Sequence, residues 1–401
     1  MKVAVIGGGA AGFFAAFSSK EHHPNAEVFL YEKSDKILSK VKISGGGRCN
    51  VTHACFQPTA LSRFYPRGAK FLKKAFKVFQ PRDTIKWFSE RGIGLKTESD
   101  NRMFPISDNS QTIVDCFLRE LQIKKIQLIK NARILEIIPN IKGYYLCFKN
   151  HKLHFDKVII ASGGSPKPKG FDWLKKLGHH IISPIPSLFT FNMPGESITK
   201  LMGVVVENAI VRIQRTKLRY QGPVLITHWG MSGPGILKLS SWGARFLHQS
   251  NYEFKVQINW ISIKNEEDAF CFLSENFDSI KRKKISNANP FSLPNSIWLY
   301  IIDRLQISPN IIWLDLSKKQ LNRLINILLN DVYQVLGKTT FKEEFVTCGG
   351  VSLEDIEVTT MQSKVCPNIY FAGEVLDIDG ITGGFNFQSA WTTGFIAGKL
   401  E

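Results

Sequence analysis

Apolar positions along this chain come as short unbroken runs near both ends and as alternating or helical patterns between them. Val3-Ala4-Val5-Ile6 and Val28-Phe29-Leu30-Tyr31 are unbroken over strand length, the pattern of strands buried on both faces of a parallel sheet. Between them, Gly7-Gly8-Gly9-Ala10-Ala11-Gly12 opens a helix, so the first stretch predicts strand, glycine turn, helix and strand, ending on Glu32. Over residues 69–79, Lys70, Lys73, Lys74 and Lys77 share one helical face and Leu72, Ala75, Phe76 and Phe79 the other. A solvated basic face over a packed one is the simplest reading, and a polyanion or membrane surface the alternative. Ile126 to Ile129, Ile134 to Ile138, Tyr144 to Phe148 and Lys152 to Phe155 alternate as the strands of a β-meander. Val158-Ile159-Ile160 is a further buried strand, ending in Ala161-Ser162-Gly163-Gly164, small residues that let backbone pass close to a ligand.

Pro184-Ile185-Pro186-Ser187 marks a boundary. Extended segments are expected from there to about residue 260, and helices over residues 265–344. Near the other end, Ile369-Tyr370-Phe371-Ala372 predicts a closing strand, and Gly383-Gly384 opens a final helix reaching about Lys399. The organisation is therefore α/β. A Rossmann-like domain is split into residues 1–187 and 345–401, and the insert at 188–344 is β-rich over 188–262 and helical over 263–344.

With 401 residues and 44% hydrophobic content, the chain can bury more than one core. Its seven cysteines (Cys49, Cys55, Cys116, Cys147, Cys271, Cys348 and Cys366) include no CxxC pair, which points to a reduced, cytoplasmic setting. Cys49, His53 and Cys55 lie close together, but no second cluster has zinc spacing, so no metal site is expected. The glycine turn interrupts the one stretch that resembles a secretory signal, and no run approaches the roughly eighteen apolar residues of a membrane span. A soluble protein without a membrane partner is the expectation. The net charge of +18 favours polyanionic partners, although a lysine-rich composition alone yields the same number. Lys281-Arg282-Lys283-Lys284 reads first as a solvated loop and second as a nucleic-acid contact.

Candidate chemistry begins at the glycine turn. Gly7 allows the tight turn, and Gly9 lets backbone N–H groups approach a pyrophosphate. Ala10 and Ala11 open a helix whose positive end faces the phosphates, and Gly12 lets that helix lie close to the sheet. Glu32, about twenty residues beyond Gly12, can accept ribose hydroxyls and would repel a 2′-phosphate. Ser44-Gly45-Gly46-Gly47-Arg48-Cys49-Asn50 predicts a second loop of exposed N–H donors beside a fixed cation. His228, in the glycine-bearing stretch Thr227 to Pro234, is a candidate acid or base. Only one dinucleotide fingerprint is present, so any second dinucleotide would have to visit without a Rossmann domain of its own.

GGGAAG at 7–12, SGGGRCN at 44–50, THWGMSGP at 227–234 and GEVLDIDGITGGFNFQSAW at 373–391 span the chain in an order that resembles the BaiN-like (YhiN-like) family of FAD-dependent oxidoreductases. The resemblance implies an FAD-binding Rossmann-like domain with an inserted β-rich and helical one, and NADH or NADPH as a transient electron donor. The residues it assigns to FAD are Gly7, Gly9, Ala10, Ala11, Gly12, Glu32, Lys33, Lys40, Ser44, Gly45, Arg48, Ser162, Gly163, Gly373, Glu374, Gly384, Asn386, Phe387 and Gln388. Glu374 would accept ribityl hydroxyls, and the start of the last helix would stabilise negative charge at the flavin pyrimidine edge. Two features depart from the family pattern: the shorter, proline-bearing segment Ser165 to Gly170, and Cys348, to which no redox role is assigned.

Members of that family have been linked to reduction of a steroid enone, oxidation of small amines, and conversion of a ribosomal-RNA uridine to dihydrouridine. The first and third share one step, hydride addition to a carbon-carbon double bond conjugated with a carbonyl, with a proton delivered to the adjacent carbon. Cys49 is the first candidate for that acid and His228 the second. Arg48 beside Cys49 is expected to pull the thiol toward thiolate. The positive charge favours the ribosomal-RNA uridine, taken out of its stack into a pocket near His228 and Trp229. A small-molecule flavoenzyme, either enone reductase or amine oxidase, is the alternative, and a protein with a purely structural flavin the third reading.

Overall fold

The computed structural model describes residues 1–339 and 346–401, which fall into two compact units, Met1–Ser187 with Phe341–Glu401, and Leu188–Thr340. The return expected at Glu344 and Phe345 lies outside the described residues.

In the first unit the unbroken apolar runs form a five-stranded parallel sheet, in the order Ile369–Phe371, Lys157–Ile160, Lys2–Ile6, Glu27–Tyr31 and Gln127–Ile129. Val3, Val5, Leu30, Val158 and Ile160 have no exposed surface, as strands covered on both faces require. Helix Ala10–His22 lies against the closing helix Phe385–Gly398, so the two ends of the chain share one core. Close approach is made possible by glycine: a Cβ added at Gly394 would stand 2.7 Å from the Ala11 carbonyl oxygen, and one at Gly398 2.5 Å from that of Ala15. Ser18 Oγ donates to the Phe395 carbonyl at 2.6 Å across the same seam. Phe14 packs at the centre, with ring centroids 4.8 Å from Trp87 and 5.2 Å from Trp391. Burying three such rings together contributes roughly 0.5–1.5 kcal/mol per pair beyond their area.

Two expectations are corrected here. Gln127–Ile129 joins the parallel sheet as its edge strand, and the meander has three strands, Glu136–Asn140, Gly143–Cys147 and Lys152–Phe155. A half-covered edge strand alternates just as a meander strand does, so the pattern could not separate them. The basic helix is also shorter than its periodicity suggests, covering Ala69–Ala75.

The second unit is built on a seven-stranded antiparallel sheet, in the order Asp331–Leu336, Glu253–Asn259, Val205–Ile213, Arg219–Thr227, Gly230–Ser232, Thr190–Asn192 and Lys338–Thr339. Helices Glu266–Ile280, Asn295–Arg304 and Lys318–Asn330 follow the helical pattern, but residues 331–339 return to the sheet instead of continuing as helix. The strand begins on Asp331, whose carboxylate is buried against Arg304 at 2.9 Å and accepts the Trp260 indole N–H at 2.9 Å. A charge at a strand start reads as loop until its partners are in place. The expected run of extended structure to residue 260 is likewise broken by helix Pro234–Gln249. Pro234 supplies a preformed first helical residue after Gly233, whose φ of +92° ends the preceding strand.

Candidate functional site

The first strand ends in a turn that only glycine can make. Gly7 has a φ of +119°, and a Cβ there would lie 2.2 Å from the Ala161 carbonyl oxygen, where the neighbouring parallel strand ends. A Cβ at Gly12 would lie 1.8 Å from the Gly7 carbonyl oxygen, so the helix sits on its own entry turn. Gly9 differs: nothing lies within 4 Å of its Cβ position. It precedes a helix with no side-chain cap and no acidic residue in its first turn, leaving the N–H groups of Ala10, Ala11 and Gly12 toward that open side. Glu32 is held at the end of the second strand. Its carboxylate accepts from Gly8 N at 2.9 Å and from Ser34 N and Oγ at 3.0 and 2.9 Å.

The second glycine loop starts as a short helix and unwinds at Ser44, Gly45 and Gly46, the last two left-handed. Cβ positions at Gly46 and Gly47 meet nothing within 4 Å, while one at Gly45 would strike Phe104 at 2.7 Å. Arg48 is ion-paired to Glu98 at 2.6 Å and Asp108 at 3.5 Å, and its guanidinium lies 4.1 Å from the Phe104 ring centroid. Arg102 meets the same Glu98 at 3.2 Å. The cation expected to approach a dinucleotide is therefore already answered by two carboxylates, and its evident effect is to shape the loop.

Cys49 corrects the sequence expectation most sharply. Its side chain has no exposed surface, and burial pushes the thiol up to about 12, against a weaker opposing hydrogen bond with Ser44. Desolvation disfavours the charged form, and the Arg48 guanidinium expected to favour it is paired with Glu98 instead. The thiol stays protonated. Next to it, the Asn50 amide accepts from Gly384 N at 3.0 Å and donates to the Thr52 carbonyl at 3.0 Å, tying this loop to the start of the closing helix.

The closing strand delivers Gly373 and Glu374 to its carboxyl end, beside the strand end at Ser162-Gly163-Gly164. Glu374 accepts from Lys40 Nζ at 2.5 Å and from Thr347 N at 3.0 Å, and a Cβ on Gly164 would stand 2.7 Å from its carboxylate. Lys40 and Glu374, distant in sequence, are thus one ion pair. Gly163 is open around its Cβ position, and Ser162 and Lys33 are exposed. At the mouth of the closing helix, Asn386 exchanges two 2.8 Å hydrogen bonds with the Gly380 backbone, and Phe387 stacks on Trp391. Gln388 is fully buried, accepting from Thr52 and Thr84 at 2.6 and 2.9 Å and donating to Thr392 at 3.1 Å. Its side chain braces the helix from inside, which corrects its expected place among groups that line a ligand.

Sequence reasoning weighed His53 only as a metal ligand and missed Thr347 and the Arg67–Asp379–Ser187 cluster. His53 Nδ1 lies 3.0 Å from the Gly383 carbonyl oxygen, and Asp379, with no exposed surface, is paired with Arg67 and bonded to Ser187 Oγ. Only an unpaired-looking acid in an apolar stretch, Ile378-Asp379-Gly380-Ile381, signalled the last of these. In the second unit His228 is exposed, 4.4 Å edge-to-face from Trp229, whose indole N–H donates to Thr190 Oγ1 at 3.0 Å. Both line a cleft of about 240 Å³ with Asn192, Met193 and Leu336.

A dinucleotide fits the first unit. The open Cβ positions at Gly9, Gly46, Gly47 and Gly163 leave side-chain-free backbone beside an uncapped helix N-terminus, with Glu32 and Glu374 as carboxylates for hydroxyl groups. Such a fold with such a turn defines a dinucleotide-binding protein of the Rossmann type. Residues 1–400 match the HI0933-like protein Rossmann domain family, and the chain belongs to it as a BaiN-like FAD-dependent oxidoreductase. It is 30% identical to the ribosomal RNA dihydrouridine synthase of Escherichia coli over 97% of this chain and 95% of that protein. It is 23% identical to the 3-dehydro-bile acid delta(4,6)-reductase of Clostridium scindens over 99% and 98%. Its fold is similar to that of the 3-ketosteroid-delta4-(5alpha)-dehydrogenase of Rhodococcus jostii, with a TM-score of 0.52 at 11% identity, covering 99% of this chain and 96% of that one.

Proposed function

We propose that this enzyme reduces a carbonyl-conjugated carbon-carbon double bond in a uridine of ribosomal RNA, with NADH or NADPH as electron donor. The observation that carries the reading is the 30% identity, over nearly the full length of both chains, to the ribosomal RNA dihydrouridine synthase of Escherichia coli. The net charge of +18 supports it, because a polyanionic substrate is bound largely through phosphates.

FAD, when bound, supplies the hydride. Gly7, Gly9, Ala10, Ala11 and Gly12 would meet its pyrophosphate, Glu32 its adenosine ribose, and Glu374, oriented by Lys40 and Thr347, its ribityl hydroxyls. Ser44, Gly45, Ser162, Gly163, Gly373 and Gly384 would contribute backbone beside it, within a domain made of residues 1–187 and 345–401. The uncapped first turn after Gly384 adds a positive helix end. Reduction of the double bond also consumes one proton. Cys49, protonated but without exposed surface, and His228, exposed at a cleft beside Trp229 in the second unit, are the two candidate donors of that proton.

Dihydrouridine measured by mass spectrometry in ribosomal RNA tests this directly. Nucleosides from a deletion strain are expected to lack one dihydrouridine, restored by the purified enzyme with NADH or NADPH; unchanged content would refute the reading. Reduction of a steroid enone is the second reading, favoured by the near-complete coverage of the bile acid reductase. Turnover of a neutral enone should barely respond to ionic strength, whereas turnover of RNA should fall steeply.

A further inference from the structure

We propose that the basic helix Ala69–Ala75 and the turn after it are the surface on which the RNA backbone docks, an inference that rests on the ribosomal-RNA reading above. Lys70, Lys73, Lys74 and Lys77 are all exposed, and among the described residues none of them forms an ion pair. Nothing in this stretch offers them a counter-charge, since no Asp or Glu occurs between Asp35 and Asp83. The helices packed against this one are equally free of acids: neither Pro58–Ser62 nor the closing helix Phe385–Gly398 carries one. The carboxylates of the neighbouring segments are engaged elsewhere: Asp83 accepts from Gln80 N at 2.8 Å, Asp377 from Gly349 N at 2.8 Å, and Asp379 is held by Arg67. Arg63 and Arg82, just before and after this block, are exposed as well.

Lys70 and Lys74, and Lys73 and Lys77, stand four residues apart, the spacing at which like charges oppose a helix. A surface that holds four mutually repelling ammonium groups without a carboxylate is complementary to a row of phosphates. The opposite face favours RNA over a lipid surface: Leu72, Ala75, Phe76 and Phe79 are at most 4% exposed, and Val78, 42% exposed in the turn, is too small an apolar patch to anchor the stretch in lipid.

Position adds the functional link. Gly68, just before the helix, is seated on the loop that leads into the closing helix: a Cβ there would meet Ile378 at 2.7 Å. Tyr65 Oη donates to the Phe385 carbonyl at 2.7 Å, Ile381 N donates to the Phe64 carbonyl at 3.0 Å, and the Phe64 and Phe385 rings stack at 4.5 Å. A strand held on the lysines therefore lies beside the elements that form the candidate flavin site.

The test is fluorescence anisotropy of a labelled single-stranded RNA with the FAD-loaded enzyme, wild type against a variant carrying Lys70→Gln, Lys73→Gln, Lys74→Gln and Lys77→Gln. Four lost phosphate contacts lower the slope of log affinity against log salt by about 3, and affinity near physiological salt falls on the order of 100-fold. The corresponding lysine-to-arginine variant keeps wild-type binding, and a Lys318→Gln, Lys319→Gln control on the second unit leaves it unchanged. Relief of like-charge repulsion means that the melting temperature of the glutamine variant does not drop below wild type. Wild-type binding that survives the glutamine substitutions overturns this docking surface while leaving the RNA reading intact. A wild-type enzyme that binds no RNA overturns both. Cosedimentation with phosphatidylglycerol vesicles that vanishes in the glutamine variant, without RNA binding, would assign the lysines to a lipid surface and overturn the proposal.

Discussion

Gly12→Ala and Gly9→Ala, three residues apart, should damage different things. At Gly12 the new methyl group would lie 1.8 Å from the Gly7 carbonyl oxygen, where ordinary contact begins near 3.4 Å, so helix and turn must separate by about 1.5 Å. Gly7 cannot retreat: its amide donates to the Tyr31 carbonyl at 2.8 Å, and its own Cβ side faces the Ala161 carbonyl oxygen. Since the clash is between backbone atoms, rotamer changes do not relieve it, and the cost belongs at the upper end of overpacking, about 3 kcal/mol. At Gly9 the methyl group meets nothing, and a φ of −97° suits any residue. Folding should change there by less than about 0.5 kcal/mol. The open side is the proposed pyrophosphate position, however, so FAD affinity should fall tenfold or more, about 1.4 kcal/mol. Urea denaturation of the apoprotein measures the first effect and flavin-fluorescence titration the second. A Gly12→Ala protein with the wild-type urea midpoint, or a Gly9→Ala protein that binds FAD normally, would refute the geometric argument.

Three further outcomes are expected. Iodoacetamide at neutral pH should alkylate the exposed Cys271 and spare Cys49 until the protein unfolds; equal rates in the native protein would contradict the buried thiol. Because the folded thiol ionises only near 12, the unfolded chain releases this proton first, and stability attributable to Cys49 is intact below pH 9 and lost above it. The loss is roughly 1.4 kcal/mol per pH unit, and comparing the alkaline denaturation of wild type with that of Cys49→Ala isolates it. Arg304→Met leaves the Asp331 carboxylate, 2% exposed, without its cation, and chemical denaturation should register a loss of about 3–5 kcal/mol. Adding Asp331→Asn to that variant should recover part of it, and no recovery would mean that the pair is not the source.

Unbroken apolar runs and glycine placement are local properties, and they sufficed to read four of the five strands of the parallel sheet, its first helix and the glycine turn, while the edge strand Gln127–Ile129 reads as a meander strand. Residues 331–339 and 234–249 were misread for a different reason. Asp331 is tolerable in a strand only because Arg304 and Trp260 meet it from other elements, and helix Pro234–Gln249 carries serines and glycines that are buried by packing rather than by pattern. The candidate site divides in the same way. The turn geometry of Gly9 and Gly12 is set by near neighbours in the chain, and it was legible there. Whether Arg48 is a free cation, whether Cys49 is a thiolate and whether Gln388 faces a ligand depend on Glu98, on the burial of the thiol by the folded core, and on Thr52 and Thr84, all brought in from elsewhere in the fold. Solvation and pairing set charge, and both are made by contacts that sequence spacing does not record.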